Sequence, residues 1–460
     1  MEELEKLIEK YNKPLDKESL KKSLYNIFCI MILILPILPE TIGLGIYSLR
    51  NTIFNGITIV ATLTLGIIGI REKKKSVTIY EILLSIYFVL IVVSAATSKY
   101  GFWNCFLGAN GRGEGILTNF SYFMTFVIIL KGYKYLNRYS LLVGTIAATV
   151  VSGYGIIQAN VPLDIKLPFG SSDVLGVAEG TMKNQNFLSS YICLFLPTIC
   201  FSYITKNTKR KNIDLLYISV LFAALVFAKT LGGYLTFAVM YLAVSIFAIL
   251  YSKNKSNTLR AIAIVTIIIV SIFSLITFTK DKSYANELAQ TKTEVTKLVT
   301  KDKSFGTSRM EIWKKTLMAI NSNKLFGVGP DSLKLEFLLE KYKTNGEQDM
   351  LNHYVVDKAH SEPLHIAVTT GIPSMLVYLI FVGYLVIKLG LKVLKDIKAN
   401  GINENNIFNT MVIISILSYL MQSVINISVV QVAPTFWLVL GLGAGIEKSI
   451  ENAKNTNKKS

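Results

Sequence analysis

The chain has 460 residues and only three histidines, His353, His360 and His365, all inside one stretch, HYVVDKAHSEPLHI (353–366). An imidazole with a pKa near ~6.5 can accept a proton from a hydroxyl at ambient pH. Three roles compete for these residues. As metal ligands they fit poorly: His360 and His365 would point about 140° apart on a helix, and neither an HExxH pattern nor a Cys/His spacing accompanies them. A structural role suits His353 and His365. His360 stands just before SEPLHIAVTTGIPSMLVYL, in which Pro363 fits the first turn of a helix entering a membrane. That places His360 at the mouth of a bundle, where it can serve as a base.

A second chemical group lies upstream. GTSRMEIWKKTLMAI (306–320) contains Ser308-x-x-Glu311, a capping box, which predicts a helix whose first position is Arg309. A guanidinium beside the unbonded amides of a helix start is a site for an anion, phosphate above all. The plainer reading is a solvated surface arginine. After this helix, Gly327, Gly329 and Pro330 in NKLFGVGPDSL break the chain, and Asp331 can cap the next helix.

The elements that must position these groups are membrane helices. The chain is 52% hydrophobic, and its apolar runs approach or exceed the ~18 residues read as a transmembrane helix. Twelve spans are predicted, near 24–40, 52–70, 78–97, 115–130, 140–158, 186–204, 213–228, 232–251, 260–279, 363–387, 408–426 and 430–447. Alternate short loops, such as the one with Arg71, Lys73, Lys74 and Lys75, hold three or four basic residues each; those on the other side hold two at most. By the positive-inside rule the first set is cytoplasmic, and both termini with it. The net charge of +18 is therefore explained by loops facing the cytosol rather than by nucleic acid. Residues 1–23 form a cytosolic segment with an amphipathic helix marked by Leu4, Leu7, Ile8 and Tyr11, and no secretory signal is expected. Residues 448–460 form a cytosolic tail, its last part, NTNKKS, disordered. Four scattered cysteines make neither a disulfide framework nor a metal site.

Between nine spans (24–279) and three more (363–447), residues 280–362 make the one long connection, placed outside. Helices are predicted in it near 284–300, 309–322 and 331–343. A structured loop longer than ~15 residues is usually functional. The fold class is thus all-α, a polytopic membrane protein with a helical extracytoplasmic loop. A twelve-span transporter is the rival reading. It would carry related halves and charges at midplane, and neither is visible in the sequence.

GTSRMEIWKKTLMAINSNKLFGVGPDSL followed by DKAHSEPLHIAVTTGIPSMLVYL resembles the O-antigen ligase and O-antigen polymerase superfamily of bacterial envelope enzymes. The matching residues are Arg309, Trp313, Gly327, Gly329, Ala359, His360 and Gly371. FLGANGRGEGIL (106–117) and MKNQNFLSSYICLFLP (182–197) look like further family segments. The resemblance implies a metal-independent membrane glycosyltransferase, needing no cofactor, that joins or polymerises glycans carried on undecaprenyl pyrophosphate outside the cytoplasmic membrane. The partners implied are that lipid-linked donor, an acceptor glycan or anchor, and the bilayer. On this resemblance Arg309 binds pyrophosphate and His360 deprotonates the acceptor hydroxyl. Family members often carry Ser-Arg-Gly at an outer membrane edge. The matching stretch, AKTLGGYL (228–235), has Leu231 at the arginine position. Lys229 or Arg112 is then the second cation, although a lysine cannot make a bidentate fork. Asp357 and Glu362 are candidates to orient His360.

Overall fold

The computed structural model describes residues 16–39, 48–70, 77–108, 112–136, 138–162, 165, 167, 175–206, 211–279, 296, 309–339 and 356–457. Its described residues form helices and no strand. The long helices are α1 (Lys17–Ile34), α2 (Leu49–Ile70), α3 (Ile79–Thr97), α5 (Ile116–Gly132), α6 (Ser140–Asn160), α7 (Gln185–Thr205), α8 (Lys211–Ala228), α9 (Leu231–Tyr251), α10 (Lys255–Thr279), α11 (Arg309–Ser322), α14 (Ile372–Asn400), α15 (Glu404–Ser423) and α16 (Ala433–Asn457). Three shorter ones are α4 (Phe102–Leu107), α12 (Leu333–Phe337) and α13 (Glu362–Thr370). A helix stands on every stretch expected to cross a membrane. Among the described helices, nine are long and apolar enough to do so. The chain is a multi-pass membrane protein.

Composition decides which helices lie inside. α7, apolar on all sides, has its whole 18-residue window buried in the bundle, whereas only 17% of the α10 window is buried. α10 and α2 turn side chains such as Val60, Leu63, Ile67, Ile267 and Phe278 outward, as lipid-facing helices do. α7 packs on α8, α9 and α15, and α16 packs on α5. That last contact is close because Gly441 and Gly445 lie four apart on the facing stripe of α16. A Cβ at Gly441 would stand 2.8 Å from Ile129 Cβ, and one at Gly445 would stand 2.5 Å from Tyr133 Cβ. Small residues at this spacing let membrane helices approach backbone to backbone. Trp437 closes the seam, stacked on Tyr122 at 6.1 Å and on Phe381 at 6.2 Å between centroids.

The structure corrects several boundaries. The tenth span, expected over 363–387, is split in two: α13 ends at Gly371, whose φ of 94° only glycine adopts readily, and α14 runs from Ile372 to Asn400. Of the helix expected over 331–343, the described residues to 339 hold Leu333–Phe337, with Ser332 rather than Asp331 as its N-cap. The helix expected over 309–322 is found there as α11. α16 continues to Asn457, so the first half of NTNKKS is helical instead of disordered. The amphipathic segment near Leu4, the helix over 284–300 apart from Thr296, and the capping residue Ser308 lie outside the described residues.

Candidate active site

The histidine segment is held by the turn that follows α11. The amides of Val328 and Gly329 donate to the carbonyls of Val368 and Thr369, each at 2.9 Å, and the Ile372 amide donates to Lys324 O at 2.9 Å. This backbone pairing needs glycine, because a Cβ at Gly371 or Gly327 would strike main-chain atoms of 325 and 369. Ser94 Oγ and Ser98 Oγ, at the end of α3, add bonds to Thr369 O and Val328 O. Ala319, Ile320, Leu333, Ala359, Ala367 and Val368 form a small second core between α11, α12 and α13. The helix that begins with Arg309 and the helix that follows His360 are therefore one packed unit.

His360 sits in the linker entering α13, in a left-handed conformation with φ 49°. Its Nδ1 is buried and has no hydrogen-bond partner. Burial, and then the positive charge of Arg309, lowers its pKa to about 4, against a smaller opposing effect of Asp357. Arg112 acts in the same direction as Arg309. Two arginines and an aspartate, drawn from three separate stretches, thus share the surroundings of this imidazole, which is neutral at ambient pH. Trp313, one turn beyond Arg309, also has a buried donor, Nε1, without a partner.

Beside this linker lies a partly open polar cavity of ≈ 50 Å³, lined by Glu114, Asp331, Lys358, Glu362, His365, Tyr87, Tyr378 and neighbours. A cavity that size holds one or two waters. Glu114 accepts from Tyr122 Oη (3.0 Å) and from the Val430 amide (2.7 Å). Glu362 accepts from the Ser428 amide at 2.9 Å. Burial raises both carboxyls to about 7. Lys358 Nζ reaches Asp331 Oδ1 at 3.0 Å and His365 Nε2 at 3.2 Å.

Residues 216–379 match the family model described as O-antigen ligase. The match runs from within α8 into α14 and includes Lys229, Arg309 and His360. The chain thus carries a domain like that of the O-antigen ligase and polymerase superfamily. A search of curated proteins returned no match. The O-antigen ligase domain is of a glycosyl-transferring kind, and it contains both groups singled out by their chemistry. Arg112 lies outside the matched residues, yet it faces the same imidazole.

The other expected site residues have different settings. Arg112 Nε donates to Asp357 Oδ2 at 2.6 Å, and its guanidinium lies 5.5 Å from the Phe187 ring centroid. Burial opposes the charge on both partners, but the pairing holds the Asp357 carboxyl below its ordinary range. Asp357 does act on His360, although its hydrogen bond goes to Arg112. Glu362 is turned to the 428–430 loop, where it accepts from the Ser428 amide. Lys229 ends α8 in a left-handed turn with φ 52°, its Nζ beside Gly176. The sequence reading missed Glu114, Asp331 and Lys358 as members of the site. A signal was present: Lys358 precedes Ala-His, and Glu114 is the one acid in GRGEGIL. Spacing carried no hint that the two would meet.

Proposed function

We propose that the protein transfers or polymerises glycan units from an undecaprenyl-pyrophosphate-linked donor onto an acceptor hydroxyl at the outer face of the cytoplasmic membrane. In this reading twelve spans cross that membrane, both termini are cytosolic, and the long connection lies outside. The chemistry requires no metal. The observation that carries the reading is the packing of the helix that begins with Arg309 against the segment that carries His360, through the small core of Ala319, Ile320, Ala359, Ala367 and Val368.

The acceptor oxygen attacks the anomeric carbon of the donor sugar. The His360 imidazole takes the hydroxyl proton as the new C–O bond forms. The bond from the anomeric carbon to the phosphate oxygen breaks, and its electron pair leaves with the pyrophosphate. Arg309, with Arg112 or Lys229 as the second cation, faces the charge that gathers there, a form of stabilisation worth about 3 kcal/mol per donor in other enzymes. A base with a pKa near 4 is weak in the empty site. The bound pyrophosphate offsets the cations that depress it, so the imidazole becomes more basic once the donor arrives.

The test is a turnover assay with purified protein in lipid nanodiscs and a lipid-linked donor. Release of undecaprenyl pyrophosphate is expected from the parent protein, with a loss of roughly 10²–10⁴-fold in His360→Ala. Full turnover by a correctly inserted His360→Ala would remove the base. No release from the parent with any lipid-linked glycan would favour a transporter. A product ladder marks a polymerase and a single addition marks a ligase.

A further inference from the structure

We propose, building on the reading of His360 as the base, that the buried Asp331–Lys358 ion pair is the positioning device that holds His360 in its reactive conformation. The two side chains are 1% and 2% exposed and 3.0 Å apart. Lys358 also meets His365 Nε2, on the first turn of α13, at 3.2 Å. Asp331 is itself fixed: its Oδ2 accepts the Glu114 amide at 3.1 Å, and it follows the turn whose amides pair with Val368 and Thr369. One ammonium therefore ties the linker ahead of α13 to the turn behind α11.

The residues around His360 are all held. Asp357 is bonded to Arg112, Lys358 to Asp331, Ala359 is wholly buried, and the Ser361 carbonyl accepts the His365 amide at 2.8 Å. His360 alone among them has φ at 49°, with Nδ1 left unbonded. A non-glycine residue stays in that region only where its surroundings over-determine it, and here the over-determination comes from the anchors on either side. Apolar side chains of similar volume would fill the same space without the cost of burying two charges. What the charged pair adds is a single geometry. The pair thus adds a polar tie to the packed unit that carries both Arg309 and His360.

The experiment uses the full chain in nanodiscs. Lys358→Met and Asp331→Asn each strand a buried partner and should lower the Tm. The double variant that combines them removes both charges of the pair, and the carboxamide oxygen it places at position 331 can still accept the Glu114 amide. Its Tm is expected to recover while kcat stays about 10²-fold down, with the donor KM near that of the parent. A purely structural pair would restore kcat with the Tm, and that result overturns the proposal. Lys358→Arg and Asp331→Glu, measured singly, keep the charges and shift the geometry; kcat should fall at a parental Tm, and an unchanged kcat also overturns it. His360→Ala runs alongside. If it is inactive while the double variant turns over normally, positioning alone fails; if it is active, the base and its positioning fail together.

Discussion

At the scale of the residue, the imidazole and the guanidinium set the pH behaviour. His360 has its pKa depressed to about 4 by burial and by Arg309. A depressed histidine keeps its lone pair until the pH falls through that value, so the acid limb of kcat/KM, which reports the free enzyme, is expected near 4 rather than ~6.5. The kcat profile reports the loaded enzyme, in which pyrophosphate offsets the arginines, and its acid limb should lie at higher pH. Limbs that coincide near 6.5 would show that His360 is not the titrating base. Arg309 is tested by comparing Arg309→Lys with Arg309→Ala in donor turnover. Lysine keeps the charge but loses the bidentate fork, so both should be impaired, alanine more. Equal and full rates would sink the pyrophosphate contact. The types and relative order of these two residues were legible in the sequence because the chemistry needs an imidazole near a guanidinium and the chain holds few histidines. Lys358 and Asp331 were not legible. Their pairing comes from a turn folding back on a helix start, and Asp331, read as a helix cap, has its carboxylate on the Lys358 ammonium and the Glu114 amide.

At the scale of the element, the break between α13 and α14 decides whether the site forms. Hydropathy reads through residues 363–387 as one run, because α13 and α14 are both apolar. Only the backbone shows why the run must break: at Gly371 the chain turns with φ 94° so that the Leu325 carbonyl can approach. Gly371→Ala forces a side chain into a conformation costing about 1–3 kcal/mol, before any clash with Leu325 O. A lower Tm and reduced turnover are expected together; a variant with parental Tm would show that the close approach can relax. The loop between α15 and α16 is pinned by two carboxyls, Glu114 on Val430 and Glu362 on Ser428. Both have pKa values raised from 4.5 to about 7. The folded state then binds protons that the unfolded state releases, so their contribution is fully present below 4.5 and is lost as the pH rises through about 7. Glu114→Gln, whose amide oxygen can still accept the Val430 amide, should flatten part of the fall in Tm over that interval. Glu114→Ala should lower the Tm at every pH, since it leaves a buried donor unpaired at about 1–3 kcal/mol.

At the scale of the whole molecule, the alternation of basic and neutral loops predicts an orientation, and the polar contacts among the described residues gather at two ends of the bundle. At one end Glu114, Val430, Ser98, Asn186 and Asn426 are joined by hydrogen bonds to one another or to the turn after α11. At the other, Lys131 pairs with Glu81 and Lys392 with Glu447. In the proposed reading an undecaprenyl donor keeps its tail in the bilayer and offers its pyrophosphate at the outer surface, which puts the His360 end on the exoplasmic side. Trp103, 70% exposed on α4 beside the Ser98 turn, reports that end, and Lys134, 68% exposed at its side chain, reports the other. The native cysteines are buried, which keeps background labelling low. In intact cells a membrane-impermeant maleimide should modify Trp103→Cys, whereas Lys134→Cys should react only after permeabilisation. The reverse pattern would put the imidazole on the cytosolic side, where an outward-facing lipid-linked sugar cannot reach it, and the transfer chemistry would have to be abandoned however well Arg309 and His360 are placed.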